Sequence, residues 1–165
     1  MVGEAPKEKK YLLVALPHTS NWDFFYCWLA VRVLDIQVKI FAKSSYFVFP
    51  INLLCKLLGV LPVNREERTN FVEGVATLFD HYDELSLLIA PEGTRSYRST
   101  LKSGYYYIAR AAKVPIVVAG PNYRDKTFTV TAPRAPMATF EEDQAQVIAF
   151  GETQSGLRSA SKPNK

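Results

Sequence analysis

Short apolar runs of strand length alternate with helical segments along this chain, and polar loops follow the apolar runs. The strand-like runs are residues 11–16, 37–42, 60–63, 85–90 and 115–119. The helical segments between them are 22–34, the second half of 45–58, 66–82 and 102–112. This alternation predicts an α/β fold, with a mainly parallel or mixed central sheet and helices on both of its faces. Ligands of such sheets bind outside the carboxyl ends of the strands, where the polar loops lie.

One domain accounts for most of the chain. An edge strand at 127–131 and a closing helix at 140–150 complete the pattern, and no repeat or linker interrupts it. We predict a folded domain over residues 11–150, with a flexible N-terminal segment at 1–10 and a flexible Ser/Gly/Lys-rich tail at 151–165. The content of 48% hydrophobic and 22% charged residues excludes a disordered chain.

The cysteines, the histidines and the N-terminus exclude several classes of protein. Cys27 and Cys55 lie in apolar segments without a CxxC pattern, which argues against disulfides and indicates a reducing compartment. His18 and His81 have no ligand cluster in the sequence, so no metal site is predicted. The first ten residues are polar, and no run reaches the roughly 18 apolar residues of a spanning helix, so we expect a cytoplasmic protein. The net charge of +4 suits a nucleic acid, an anionic membrane or a phosphorylated substrate.

His18 and Asp23 form the first candidate catalytic pair. A histidine titrates near neutral pH and can act as a general base, and a carboxylate on its other ring nitrogen fixes its tautomer. On one continuous helix, side chains five residues apart point roughly 140° away from each other. Pro17 and the capping pattern of Ser20 with Asp23 predict a turn that lets the pair meet. The alternative is that Asp23 only completes the helix cap and that His18 is an ordinary loop histidine.

A second cluster follows the strand at 85–90, in the sequence PEGTRS at 91–96. Gly93 lets backbone approach a ligand, Arg95 offers a planar fork for phosphate or carboxylate, and Glu92 can accept a hydrogen bond or brace the arginine. The same residues could instead make a capped turn with a surface ion pair. Arg65, at the end of GVLPVNR (59–65), is a weaker candidate, because a lone surface arginine is common.

The order of these motifs resembles that of the glycerolipid acyltransferases, which include lysophosphatidate and glycerol-3-phosphate acyltransferases. HxxxxD at 18–23, GxxPVxR at 59–65, PEGTRS at 91–96 and VPIV at 114–117 match the order and approximate separations of that family's four blocks. The resemblance covers residues 11–150. It implies that His18 takes the proton of an acceptor hydroxyl, that Asp23 orients His18, and that 114–117 forms part of an acyl-donor surface. The substrate-binding residues that it implies are Arg65, Glu92, Gly93, Thr94 and Arg95.

The resemblance implies transfer of a fatty acyl group from an acyl-CoA or acyl-carrier-protein thioester to the hydroxyl of lysophosphatidate or a related lysolipid, in phospholipid biosynthesis. No cofactor is implied apart from this thioester co-substrate. The alternatives are a glycerol-3-phosphate acyltransferase, an acyl-thioester hydrolase and a non-catalytic lipid-binding module. A nucleophilic Cys27 or Cys55 is disfavoured, because cysteines in apolar segments usually behave as buried hydrophobic residues.

Two features depart from the family pattern. Pro17 stands where many members have Asn, and a polar decapeptide stands where many have a hydrophobic segment before the first block. The aromatic and leucine side chains of 45–63, interrupted by Pro50 and accompanied by Lys56, fit either a core helix or an interfacial surface. We expect peripheral contact with an anionic membrane on its cytoplasmic face, and no nucleic-acid partner.

Overall fold

The structure, a computed structural model, describes residues 2–43, 53, 60–63, 68–93 and 100–158. The strands are β1 (Lys10–Ala15), β2 (Val38–Lys43), β3 (Val60–Val63), β4 (Leu85–Ile89), β5 (Ile116–Asn122) and β6 (Thr127–Val130). The helices with described bounds are α1 (Asn21–Val33), α2 (Arg68–His81), α3 (Gly104–Ala112) and α4 (Phe140–Thr153). The helix predicted in the second half of 45–58 lies outside the described residues, apart from Leu53, which is helical.

The six strands form one sheet in the order β3-β2-β4-β1-β5-β6. All neighbouring pairs are parallel except β5 and β6, which are antiparallel. β1 therefore lies between β4 and β5, with Val14 opposite both Ile89 and Val118. The prediction of a mainly parallel or mixed sheet is confirmed. Because β1 and β4 are parallel neighbours, the loops that leave their carboxyl ends start side by side.

Side chains alternate along the strands into two apolar cores, one on each face of the sheet. Leu12 and Val14 of β1 pack in the core with Phe79 of α2, Ile108 of α3 and Val147 of α4. On the opposite face, Tyr11 and Leu13 of β1 pack with Cys27 and Val31 of α1. Helices therefore cover both faces, as the alternation of apolar runs and helical segments predicts.

The start of α1 is set by local capping. The Ser20 side chain accepts a hydrogen bond from Trp22 N–H, and Ser20 and Asp23 form the predicted capping box. A second capping box, between Thr139 and Glu142, starts α4. α1 covers residues 21–33, within one residue of the predicted 22–34 at each end. The residues of the two capping boxes thus determine where α1 and α4 begin.

Buried Asp143 anchors α4 to the sheet. Its carboxylate accepts hydrogen bonds from Arg134 at 2.7 and 3.0 Å, from the Tyr105 hydroxyl at 3.0 Å and from Met137 N–H at 2.9 Å. Burial alone raises the pKa of Asp143, but the hydrogen bonds and the charge of Arg134 outweigh burial and hold this pKa below its usual value. The charged Asp143 is thereby stable inside the protein.

The two ends of the described chain pack against the domain. Near the N-terminus, Val2 exchanges backbone hydrogen bonds of 2.9 Å with Phe128 and Val130 of β6. α4 continues to Thr153, three residues beyond the predicted end at 150. Beyond it, Ser155 O accepts a hydrogen bond from Tyr123 N–H at 2.8 Å, and Arg158 N–H donates to Thr19 Oγ1 at 3.3 Å. Residues 151–158, assigned to the tail from sequence, therefore contact the loop after β1.

Candidate active site

The loops after β1 and β4 meet at one hydrogen bond. His18 N–H donates to Glu92 Oε2 at 2.6 Å. The two residues are far apart in sequence, and the parallel pairing of Val14 with Ile89 brings their loops together. The first loop turns through a cis peptide bond between Leu16 and Pro17. The structure thus joins the HxxxxD motif to the PEGTRS motif.

Asp23 is held by a set of short hydrogen bonds to one of its oxygens. Its Oδ2 accepts from Thr19 N–H at 2.5 Å, from Thr19 Oγ1 at 2.9 Å and from Ser20 N–H at 2.7 Å. The residue is 1% exposed, and its other oxygen, Oδ1, is buried without a hydrogen-bond partner in the described part of the chain. Asp23 therefore completes the helix cap through Oδ2, while Oδ1 takes no part in the cap.

Glu92 is a half-buried carboxyl group whose pKa is raised to about 7. Desolvation by burial is the largest cause, the hydrogen bond from His18 N–H opposes it, and the negative charge of Asp23 adds to it. Near neutral pH, Glu92 is therefore distributed between its protonated and ionised forms.

A cavity of about 1240 Å³ opens at the carboxyl ends of β1 and β4. His18, Asp23 and Gly93 line it together with apolar side chains from β2, β4 and α2, among them Ile40, Leu88 and Phe71. Lys102, which precedes α3, also lines it and contributes a positive charge. The cavity thus combines a histidine, a carboxylate, a cation and an apolar wall.

The turn at Gly93 brings Lys102 close to the β4 loop. Gly93 has φ +62, a left-handed conformation that glycine adopts without strain. A Cβ at this position would lie 2.5 Å from Lys102 Nζ, so the lysine side chain occupies the space that the missing side chain leaves. The backbone conformation therefore favours glycine here, whereas the end of the flexible, exposed Lys102 side chain can move aside.

A family model described as Acyltransferase matches residues 2–120, which is more than half of the chain. The chain belongs to the glycerolipid acyltransferase family. This acyltransferase chain is 28% identical over 142 residues to a 1-acyl-sn-glycerol-3-phosphate acyltransferase of Saccharomyces cerevisiae, over 81% of this chain and 45% of the relative. It is 34% identical over 85 residues to the human 1-acyl-sn-glycerol-3-phosphate acyltransferase beta, over 48% of this chain and 31% of the relative. The chain spans less than half the length of these curated relatives.

Within this acyltransferase domain, the structure brings together His18, Asp23 and Gly93 at the cavity, with Glu92 hydrogen-bonded behind His18. Arg65, Thr94 and Arg95 lie outside the described residues. The implied donor surface at 114–117 differs from expectation, because its valine and isoleucine side chains are buried. They pack in the two cores on β5 and in the turn before it.

Cys27 lines the cavity of the acyltransferase domain but is suited to packing and not to nucleophilic attack. It is 6% exposed, and burial, with a further contribution from the charge of Asp23, raises the pKa of its thiol to about 12. A thiol with that pKa carries almost no thiolate at neutral pH. This agrees with the sequence-based preference against Cys27 as a nucleophile, and Cys55 lies outside the described residues.

Sequence reasoning did not assign Lys102 or Tyr123 to the site. Lys102 stands out in the sequence only as one of several basic residues between 95 and 124, with nothing to indicate which of them faces the cavity. Tyr123 directly follows β5, and only the fold brings it close to Asp23. In the ranges that the structure describes, no helix is long and apolar enough to cross a membrane, and no group of His, Cys, Asp and Glu is arranged to hold a metal ion.

Proposed function

We propose that this domain transfers a fatty acyl group from an acyl-CoA or acyl-carrier-protein thioester to the hydroxyl of lysophosphatidate or a related lysolipid. The observation that carries the proposal is the shared cavity of His18 and Asp23, which has an apolar wall for an acyl chain. Lys102 in the same cavity supports a phosphorylated acceptor, because an ammonium group attracts a phosphate. The names of the two relatives point to the same acceptor class.

In the proposed reaction, an imidazole nitrogen of His18 takes the proton of the acceptor hydroxyl as its oxygen attacks the thioester carbonyl. The carbon–oxygen ester bond forms and the carbon–sulfur bond breaks, and the leaving thiolate takes the proton from the His18 imidazolium. Asp23 stabilises this imidazolium, and its three hydrogen bonds from Thr19 and Ser20 hold it in place. The Glu92 carboxylate or carboxyl fixes the backbone of His18.

The test is release of free CoA thiol from a panel of acyl-CoAs and acyl-carrier proteins, with and without lysophosphatidate or glycerol-3-phosphate. We expect acceptor-dependent release that His18→Ala lowers about 100-fold or more, since general-base catalysis contributes on this scale. His81→Ala is the matched control. It removes the other histidine of the chain, which is exposed on α2 and interacts with its own helix through Thr77 O at 2.7 Å.

Each other outcome of the thiol-release assay would support one of the alternative functions. Transfer only to glycerol-3-phosphate would assign a glycerol-3-phosphate acyltransferase. Thiol release that needs no acceptor would assign a thioester hydrolase. Absence of release with every donor and acceptor, while acyl-CoA or lysolipid still binds, would assign a non-catalytic lipid-binding module.

We also propose peripheral contact with an anionic membrane. The segment 45–63, on which the sequence-based expectation rests, lies mainly outside the described residues, but α1 exposes apolar side chains along one side. These are Trp22, Phe25, Tyr26, Leu29 and Val33. Aromatic side chains next to basic ones favour a lipid interface, and Arg32 lies exposed on the same helix.

Co-sedimentation with anionic vesicles at low salt tests this contact. We expect binding that falls when Trp22 and Phe25 are changed to serine and that weakens as salt is added. Val2→Ser, which changes an exposed valine beside β6, is the control. Equal sedimentation of the control and the α1 variant would contradict the assignment to α1.

A further inference from the structure

Two buried polar atoms beside the catalytic pair lack hydrogen-bond partners in the described part of the chain. One is Asp23 Oδ1, the oxygen that the Thr19 and Ser20 donors leave uncommitted. The other is the hydroxyl of Tyr123, at the end of β5. A buried carboxylate oxygen and a buried hydroxyl without partners both destabilise the folded state, and a hydrogen bond between them satisfies both.

The fold brings the two groups to the same place. The ring of Tyr123 packs edge-on against Tyr26, with 5.5 Å between ring centroids, and Tyr26 follows Asp23 by one turn of α1. The backbone of Tyr123 is fixed by its hydrogen bond to Ser155 O. Burial and the adjacent Asp23 carboxylate raise the pKa of the Tyr123 hydroxyl well above its usual value, so this group stays protonated and can donate.

We propose that the Tyr123 hydroxyl donates a hydrogen bond to Oδ1 of Asp23 and thereby positions this carboxylate for its interaction with His18. Tyr123 is a positioning residue, since it acts through Asp23 and does not touch substrate. Oδ2 is held by the loop and Oδ1 by Tyr123, so both oxygens of Asp23 are fixed before the imidazolium forms. This inference rests on the proposed function, in which His18 is the general base.

The phenylalanine variant removes the donor and keeps the ring. For Tyr123→Phe we expect kcat to fall about five- to tenfold with little change in either KM, because substrate contacts remain. The acidic limb of the pH profile of kcat/KM should move to lower pH. Without the donor, Asp23 is no longer held against His18 and stabilises its imidazolium less, which lowers the pKa of His18. A loss of folded protein alone would lower kcat without moving this limb.

Tyr26→Phe is the matched control, because it removes the hydroxyl of the neighbouring ring, which lies half-exposed on α1. It should leave kcat within twofold of the wild type and the pH profile unchanged. A Tyr123→Phe enzyme with the same kcat and the same acidic limb as this control would overturn the proposal.

A double-mutant cycle with Asp23→Ala, which leaves no group to accept the hydrogen bond, separates this bond from the proposed function. In urea unfolding, Tyr123→Phe should lower the folding equilibrium constant at least fivefold more in the wild type than in the Ala background. Additive effects on stability would refute the hydrogen bond even if acyl transfer is found. Wild-type protein that shows the coupling but no transfer to any acceptor would refute the proposed function, and with it the catalytic role of Tyr123, while the contact stands.

Discussion

Replacing Glu92 with glutamine should remove a pH dependence from the unfolding free energy of this domain. The folded state raises the pKa of Glu92 from 4.5 to about 7, mainly through burial. The folded protein therefore holds this proton more tightly than the unfolded chain. Its stabilising contribution is fully present below pH 4.5 and is lost as the pH rises through about 7.

The size of the effect follows from the same shift. Converting the whole shift in the pKa of Glu92 at 1.36 kcal/mol per pH unit gives about 3 kcal/mol of unfolding free energy. Glu92 is only half-buried, however, and solvent screens its charge. We therefore expect the wild type to lose about 1–2 kcal/mol relative to Glu92→Gln between pH 4.5 and 7.5. At pH 4.5 the two proteins should be similarly stable, because a neutral carboxyl and an amide oxygen both accept the hydrogen bond from His18 N–H.

Urea unfolding at four or five pH values between 4.5 and 7.5 measures this difference directly. Titration of other groups cancels when the variant is subtracted from the wild type at each pH. Glu84→Gln is the control, since that carboxylate is 69% exposed in a surface pair with Lys9. A stability difference between wild type and Glu92→Gln that stays constant across the pH range would refute the burial argument.

Four further substitutions test the buried ion pair, a helix cap and two glycines. Asp143→Ala should cost about 3 kcal/mol in urea unfolding, because it leaves a largely buried guanidinium and a buried tyrosine hydroxyl unpaired. Ser20→Ala should cost about 1 kcal/mol through loss of the α1 cap, measured in the same way. Gly120→Ala should lower the melting temperature sharply, because its Cβ would lie 1.8 Å from the backbone oxygen of Leu16, directly after the neighbouring strand β1. Gly74→Ala should raise stability by about 0.5–1 kcal/mol instead, since a Cβ there meets nothing within 4 Å and α2 loses a flexible residue.

The sequence predicts those parts of the fold that depend on local signals. The apolar runs that end at Pro17 and Pro91 indicate buried strands, and both appear in the sheet close to the predicted positions. The capping box of Ser20 with Asp23 fixes the start of α1 in the sequence and in the structure. The placement of His18 and Gly93 at the carboxyl ends of strands also follows, because parallel strands point their ends to the same edge.

Other features depend on which strands become neighbours, and no local pattern encodes that choice. β5 runs to Asn122, past the predicted end at 119, because pairing with β6 extends it through Thr127. The length of α4 and the contact of Arg158 with Thr19 depend on the packing of the chain end against the β1 loop. For the same reason, the approach of Tyr123 to Asp23 is visible only once β5 is placed beside β1.

β1 lies between two apolar cores. Its side chains can therefore stay buried even when the loop that follows it is displaced. Tyr11 and Leu13 enter one core and Leu12 and Val14 the other, so a shift of β1 by one residue against β4 exchanges apolar side chains between cores and exposes none. The same shift moves the loop after β1 by about 3.3 Å along the strand. A displacement of this size breaks the 2.6 Å hydrogen bond from His18 N–H to Glu92. A one-residue insertion in β1 could thus give a folded protein in which the loops of His18 and Glu92 no longer meet. Burial of apolar side chains alone therefore does not fix the alignment of β1 against β4, and the contact between the two loops depends on that alignment.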